Sequence, residues 1–273
     1  MTNHYFENDF IKLHYYKFGT GTKNMLCFHG FGMHGKQFRI LEEKLGDQYT
    51  FWGFDLLFHK QTVLKDSSLA TIKKGITKKK LAEVISAFCA QEHISSFSVI
   101  GYSMGTHYAT GLVEEMPERI NEYIVAAPSS LNPGKITRFF GKNKVGNKLL
   151  EKLMLSEKAA LNLLSLFKRL QLIDAVARDI LFKEVNTPEL RLALYATFTC
   201  LRLFETDEDK LIHALNTYQI KSIFIFGKKD KNYLPAIGKA FFKKYKPSEI
   251  IILDENHEMI NQNFASRLAN SLL

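Results

Sequence analysis

The sequence predicts an α/β fold: a mainly parallel, twisted sheet with helices on both faces and a helical insertion. Three observations predict it. Short apolar runs alternate with amphipathic helical patterns along most of the chain. That alternation breaks once, from about Leu131 to Glu205, where the pattern is helical throughout. The length of 273 residues, 46% of them hydrophobic, suffices for one large α/β domain carrying an insertion. The expected division is a core of residues 1–130 and 206–273, with residues 131–205 forming a helical cap.

The elements follow in order. Tyr5 to Phe18 reads as an antiparallel hairpin at one edge. Asn24 to Phe28 is an apolar run of buried-strand length, followed by the glycine-rich stretch Phe28-His29-Gly30-Phe31-Gly32-Met33-His34-Gly35. Phe38, Leu41 and Leu45 mark a helix closed by Gly46, and Thr50 to Phe54 is the next strand. Leu81, Val84, Ile85 and Phe88 share one helical face. Phe97 to Ile100 is a strand, and Met104, Tyr108, Ala109, Leu112, Val113 and Met116 mark the helix after it. Tyr123 to Ala127 is another strand. Within the insertion, Leu149, Leu150, Leu153, Met154, Leu161, Leu164 and Phe167 recur at helical spacing. Ile173, Val176, Ile180 and Leu181 continue the pattern, and Pro188 starts a new segment. Ile220 to Phe226 and Glu249 to Leu253 are strands, separated by a helix with Pro235 near its start and Ile237, Phe241 and Tyr245 on one face. Met259, Ile260, Phe264 and Leu268 mark the last helix.

The chemistry sits at strand ends. Gly101-Tyr102-Ser103-Met104-Gly105 joins a strand to a helix, the setting that holds a serine on a sharp turn with its Oγ projecting outward. Side chains two residues to either side would crowd that turn, and Gly101 and Gly105 have none. The glycine-rich stretch at residues 28–35 points backbone N–H groups into a cleft, where acyl transfer needs donors for a developing oxyanion. The N–H groups of Phe31 and Met104 are the expected pair. His29 and His34 are read as orienting that loop or facing solvent, and His107 as a packed helix residue. Asp230 and His257 follow two successive strands, giving the chain order Ser103, Asp230, His257.

With these motifs the chain resembles the α/β-hydrolase fold family from about Phe10 to Leu273, in which serine, acid and histidine occur in that order. The resemblance implies Ser103 as nucleophile, His257 as general base and then acid, and Asp230 as the group that orients His257. Phe31 and Met104 would form the oxyanion hole. Asp254, though near His257, is read as a turn residue. Some members carry the acid one strand earlier, but here Pro128-Ser129-Ser130 offers no carboxylate. Two departures stand out. The family's usual Asp-Leu-Pro-Gly-His-Gly is Asp55-Leu56-Leu57-Phe58-His59-Lys60 here, with Phe58 placed to reach toward the pocket. Asn256 precedes the histidine where glycine is usual, a residue that tolerates left-handed backbone.

The implied function is a serine hydrolase acting on a carboxylic ester or thioester of a small or acyl-chain substrate. Carbon–carbon bond hydrolysis or elimination with the same triad is the first alternative, and a non-catalytic binding protein the second. Dehalogenases and epoxide hydrolases of this fold use a carboxylate where Ser103 stands. The nine histidines show no metal-ligand spacing, and no cofactor is indicated. Cys27, Cys89 and Cys200 read as buried free thiols of a reducing, cytoplasmic setting, and no stretch resembles a signal peptide or membrane span. The net charge is +9. Residues 131–169 hold nine lysines and arginines against Glu151 and Glu157 alone. Such a field attracts anionic substrates or acidic lipid headgroups, so a membrane surface is a candidate partner. Nucleic acid is not expected, for want of a recognised motif. Monomer and dimer both remain open.

Overall fold

The computed structural model describes residues 4–171 and 175–273. Its strands are β1 (His4–Glu7), β2 (Ile11–Phe18), β3 (Lys23–Phe28), β4 (Tyr49–Phe54), β5 (Val63–Leu64), β6 (Phe97–Tyr102), β7 (Ile120–Ala126), β8 (Lys221–Gly227) and β9 (Glu249–Leu253). They form one sheet in the order β1-β2-β4-β3-β6-β7-β8-β9, with β5 paired to β2. The expected hairpin is present: β1 and β2 pair antiparallel, as do β2 and β4. From β4 to β9 every pairing is parallel. Parallel strands need crossovers, and the amphipathic helices supply them.

In chain order the helices are α1 (Glu42–Leu45), α2 (Leu69–Lys74), α3 (Lys78–Gln91), α4 (Gly105–Glu115), α5 (Lys135–Lys142), α6 (Lys144–Met154), α7 (Glu157–Arg169), α8 (Ala175–Glu184), α9 (Pro188–Leu201), α10 (Glu208–Thr217), α11 (Lys239–Lys244) and α12 (Gln262–Leu272). Alternate residues of each central strand go to opposite faces, as the two-residue period requires. Leu26, Phe28, Val99, Val125 and Phe224 pack with α3, α4, α10 and α11. Met25, Cys27, Ile100, Ile124 and Ile225 pack with α1 and α12. Fully burying one side chain of this size contributes roughly 1.5–3 kcal/mol. All three cysteines are buried and unpaired.

Helices α5 to α9 lie in the chain between β7 and β8 and gather a third apolar cluster around Phe140, Leu150, Met154, Leu164, Leu194 and Tyr195. Phe31 and Phe58 pack against that cluster as well as against the sheet's core. Ile173 lies outside the described residues, as do the side chains of Val176 and Ile180.

Two helices differ from the expected ones. Gly35–Leu41 is a 3-10 helix that passes into α1. The i, i+3 spacing of Phe38 and Leu41 fits either helix type. The last helix begins at Gln262, not at Met259. Asn261 caps it by accepting from the Phe264 N–H, while Met259 is buried ahead of the cap.

Glycine permits a close approach between the start of α4 and the end of β3. A β-carbon on Gly105 would lie 2.0 Å from the Phe28 carbonyl oxygen and 2.7 Å from that of His29. Both obstacles are backbone and cannot rotate aside. Gly105→Ala is therefore expected to lower stability by about 3 kcal/mol, the upper range for overpacking, read from the urea midpoint. An unchanged midpoint would show that α4 can slide away from β3.

Candidate active site

Strand β6 delivers Ser103 to a left-handed conformation, φ 49°. For a residue with a β-carbon this costs about 1–2 kcal/mol. Four hydrogen bonds hold it there. The Ser103 N–H donates to the Ala126 carbonyl at 2.9 Å. The Ser103 carbonyl accepts from the Thr106 N–H at 3.0 Å, the Thr106 Oγ1 at 2.6 Å and the Ser129 Oγ at 2.7 Å. Strain of this kind persists only where surrounding bonds over-determine it.

Strand β8 ends at Gly227, and the turn after it buries Asp230 completely. Its Oδ1 accepts from the N–H groups of Asn232 at 2.8 Å and Tyr233 at 3.0 Å. Its Oδ2 lies 2.7 Å from His257 Nδ1. Burial alone would raise the Asp230 carboxyl. The hydrogen bond and charge of His257, with the two N–H groups, outweigh it and hold the carboxyl below its ordinary value.

His257 lies in the turn after β9, and its Nε2 is 3.2 Å from Ser103 Oγ. The carboxylate only accepts, so the proton of neutral His257 sits on Nδ1 and the Nε2 lone pair faces the serine. Tyr102 and Tyr233 flank the imidazole at ring separations of 5.3 and 5.5 Å. The Tyr102 hydroxyl also donates to the His257 carbonyl.

The turn after β3 faces the serine from the other side. His29 is fully buried and bridges two segments, with Nδ1 donating to the Gly30 carbonyl at 2.7 Å and Nε2 accepting from the Leu56 N–H at 3.0 Å. Burial keeps it neutral by pushing its pKa well below the ordinary value. Gln37 holds the Gly30 N–H at 2.8 Å, and Asp55, itself 2.7 Å from His14, holds the Gly35 N–H at 2.9 Å. Among the described residues, backbone-to-backbone bonds outside helices and strands use the N–H groups of Met33, Ser103 and Thr106 but not those of Phe31 or Met104. A cavity of about 100 Å³ opens here, bordered by Phe31, Ser103, Met104, His107, Phe198 and Leu201. Thus the structure gathers Ser103, Asp230, His257, Phe31 and Met104 in one place. Among the described residues, no three His, Cys, Asp or Glu side chains gather to hold a metal ion.

The chain matches the alpha/beta hydrolase fold family over residues 23–263. It belongs to that family. Of curated proteins, the dihydrolipoyllysine-residue acetyltransferase component of an acetoin cleaving system from Cupriavidus necator is 29% identical over 120 residues. That match covers 44% of this chain and 30% of the relative's length. A protein from Pseudomonas aeruginosa described as an epoxide hydrolase has a similar fold, with a TM-score of 0.67 at 14% identity over 99% of this chain and 95% of the other. A thermophilic esterase from Thermogutta terrifontis superposes with a TM-score of 0.61 at 17% identity, covering 96% and 92%. Likeness at these identities concerns the fold alone.

As an alpha/beta hydrolase fold protein, the chain meets its two sequence departures in its own way. Asn256 does not adopt left-handed backbone; its Oδ1 accepts from the Glu258 N–H at 2.8 Å and closes the turn instead. Phe58 takes φ 63° and packs against the apolar clusters, while Phe31 borders the cavity. Asp254 is exposed and paired with Lys229 at 2.9 Å, away from His257. His34 is exposed and caps the 3-10 helix by accepting from the Lys36 N–H. Ser129 and Tyr233 escaped sequence reasoning. In the sequence Ser129 marks only the lack of a carboxylate after β7, and nothing in the motif spacing marks Tyr233.

His59 and His107 are buried, and burial lowers each from 6.5 to about 4. Their stabilising contribution is complete above the ordinary pKa of 6.5 and is lost as pH falls toward about 4, because the unfolded chain binds protons first. The urea midpoint is expected to fall across that window. His107→Gln should flatten the fall; an equally steep fall would assign it to other groups.

Proposed function

We propose that this protein is a serine hydrolase that cleaves a carboxylic ester or thioester. One observation carries the reading: the unbroken chain of contacts from Ser103 Oγ through His257 to Asp230, at 3.2 and 2.7 Å. His257 Nε2 takes the Ser103 proton as Oγ attacks the substrate carbonyl. The oxyanion is held by the N–H groups of Phe31 and Met104. Protonated His257 gives its proton to the departing alcohol or thiol, leaving an acyl-serine. Water then gives a proton to His257 and its oxygen to the acyl carbon, releasing the acid and restoring Ser103. Asp230 fixes the tautomer and offsets the charge on the imidazolium.

A serine at the nucleophile's place favours acyl transfer over epoxide opening, which on this fold calls for a carboxylate there. Residues 131–205 serve as a cap over a core of residues 1–130 and 206–273. Support comes from Phe198 and Leu201 on α9, which border the cavity at Ser103. The apolar wall suits the acyl part of a small substrate.

A fluorophosphonate probe tests the reading, with the labelled peptide read by mass spectrometry. Label on Ser103, with turnover of p-nitrophenyl esters from acetate to palmitate, is the expected result. The preferred chain length then reports the depth of the pocket. No label on the folded protein would sink the proposal. Label without ester turnover would move the reaction to carbon–carbon bond hydrolysis or elimination.

A further inference from the structure

The helices between β7 and β8 carry a surface that the chemistry at Ser103 does not use. Advancing 100° per residue along α6, the buried residues Gly146, Leu150 and Met154 share one side. The opposite side holds Lys144, Val145, Lys148, Leu149, Lys152 and, just past the helix end, Leu155. Val145 and Leu155 are 74% and 73% exposed, and with the half-exposed Leu149 they place three aliphatic side chains among the lysines of one helix face. Lysines four residues apart repel, so this face carries a cost in the free protein. Among the described residues, no carboxylate pairs with Lys144, Lys148 or Lys152. On α7 and just past its end, Leu166, Arg169 and Leu170 lie opposite the buried Ala160 and Leu164 and are exposed.

Beside this face lies a basic cleft of about 320 Å³ between α2, α6 and α9. Lys73, Lys142 and Arg202 face it along with the α6 lysines; Glu151 pairs with Lys73 at 2.8 Å and Glu205 pairs with Lys142, which leaves Lys144, Lys148 and Lys152 uncompensated among the described residues. The floor is polar: the buried Tyr195 donates to Asn147 at 3.3 Å, and Asn147 donates to Thr199 at 3.0 Å.

We infer that the outer face of α6 docks on an anionic lipid bilayer, with a lipid phosphate in the basic cleft. Charge complementarity picks the occupant. The lysines call for an anionic surface, and the interleaved Val145, Leu149 and Leu155 call for an apolar layer just beneath it. Free phosphate and nucleic acid offer nothing to those aliphatic groups. The core of a protein interface is depleted in lysine, whereas a headgroup layer lets the lysine stem lie in apolar surroundings with its ammonium among phosphates. Among the described residues, no helix is long and apolar enough to cross a membrane, so the docking is peripheral.

Flotation of the full chain with vesicles tests this. Phosphatidylcholine vesicles are compared with vesicles containing one-third phosphatidylglycerol, at 0.1 M salt. The wild type is expected to float with the anionic vesicles alone. Each lysine near such a surface is worth about fivefold in partitioning, so K144Q/K148Q/K152Q should lose on the order of 100-fold. V145S/L155S changes only exposed side chains and should lose roughly tenfold or more, with an unaltered thermal melt. Absence from both vesicle types, or equal partition to both, overturns the proposal. So does a V145S/L155S variant that floats like wild type. Retention on a DNA duplex without flotation overturns it in favour of nucleic acid. Saturable binding of inorganic phosphate without flotation would make the cleft a site for a soluble anion and end the bilayer reading.

Discussion

Ser103→Ala is expected to reduce ester turnover by a factor on the order of 10⁵, the scale of losing the nucleophile from a triad. The fold should survive, because the clamp on residue 103 is made by its backbone. Its N–H donates to Ala126, and its carbonyl accepts from Thr106 and Ser129. Alanine keeps the β-carbon that φ 49° disfavours, so the substitution relieves no strain. Ser103→Gly removes that β-carbon and should be the more stable of the two variants, by about 1 kcal/mol. Single-turnover kinetics with a p-nitrophenyl ester and urea unfolding of both variants measure the two effects. Residual turnover within tenfold of wild type would remove Ser103 from the reaction.

Asp230→Asn is expected to lower turnover by about 10⁴, with the backbone in place. The amide oxygen can still accept from Asn232 and Tyr233, which turns the NH₂ group toward His257. The imidazole must then accept at Nδ1 and carry its proton on Nε2, so it points N–H rather than a lone pair at Ser103. A base that already holds its proton cannot take another. The change also removes the negative charge that offsets imidazolium. NMR of the ring protons would report the tautomer directly. An unchanged tautomer with wild-type turnover would show that Asp230 does not orient His257.

The sheet was legible because burial on both faces writes itself as short unbroken apolar runs, as in β6 and β8. The candidate site was legible because its groups lie at strand ends, where Gly101, Gly105 and Gly30 mark turns that admit no side chain. Local capping chemistry was harder to read. Met259 and Ile260 continue the apolar period of α12, yet the Asn261 side chain takes the Phe264 N–H and starts the helix after them. Asn256 has the conformational tolerance that glycine offers, but a side-chain hydrogen bond gives its turn another solution. The packing of α5 to α9 was illegible for a different reason. Contacts such as Asn147 with Thr199 join residues far apart in sequence, and helical spacing says nothing about which helix meets which. Tyr233 reaches His257 in the same non-local way.

The absence of a β-carbon at Gly105 has a mechanical consequence. Where α4 crosses β3, main chain rests on main chain with no side chain between them. A side-chain interface accommodates small displacements by rotamer changes, whereas this contact has no such slack. The serine and the turn bearing Phe31 therefore move as one piece, set by the sheet. Helices α5 to α9 meet the cavity through side chains such as Phe198 and Leu201, a contact of the kind that rotamer changes can adjust. On the proposed reading, substrates of different bulk would be admitted by that side-chain wall, with the alignment of Ser103, Phe31 and His257 undisturbed.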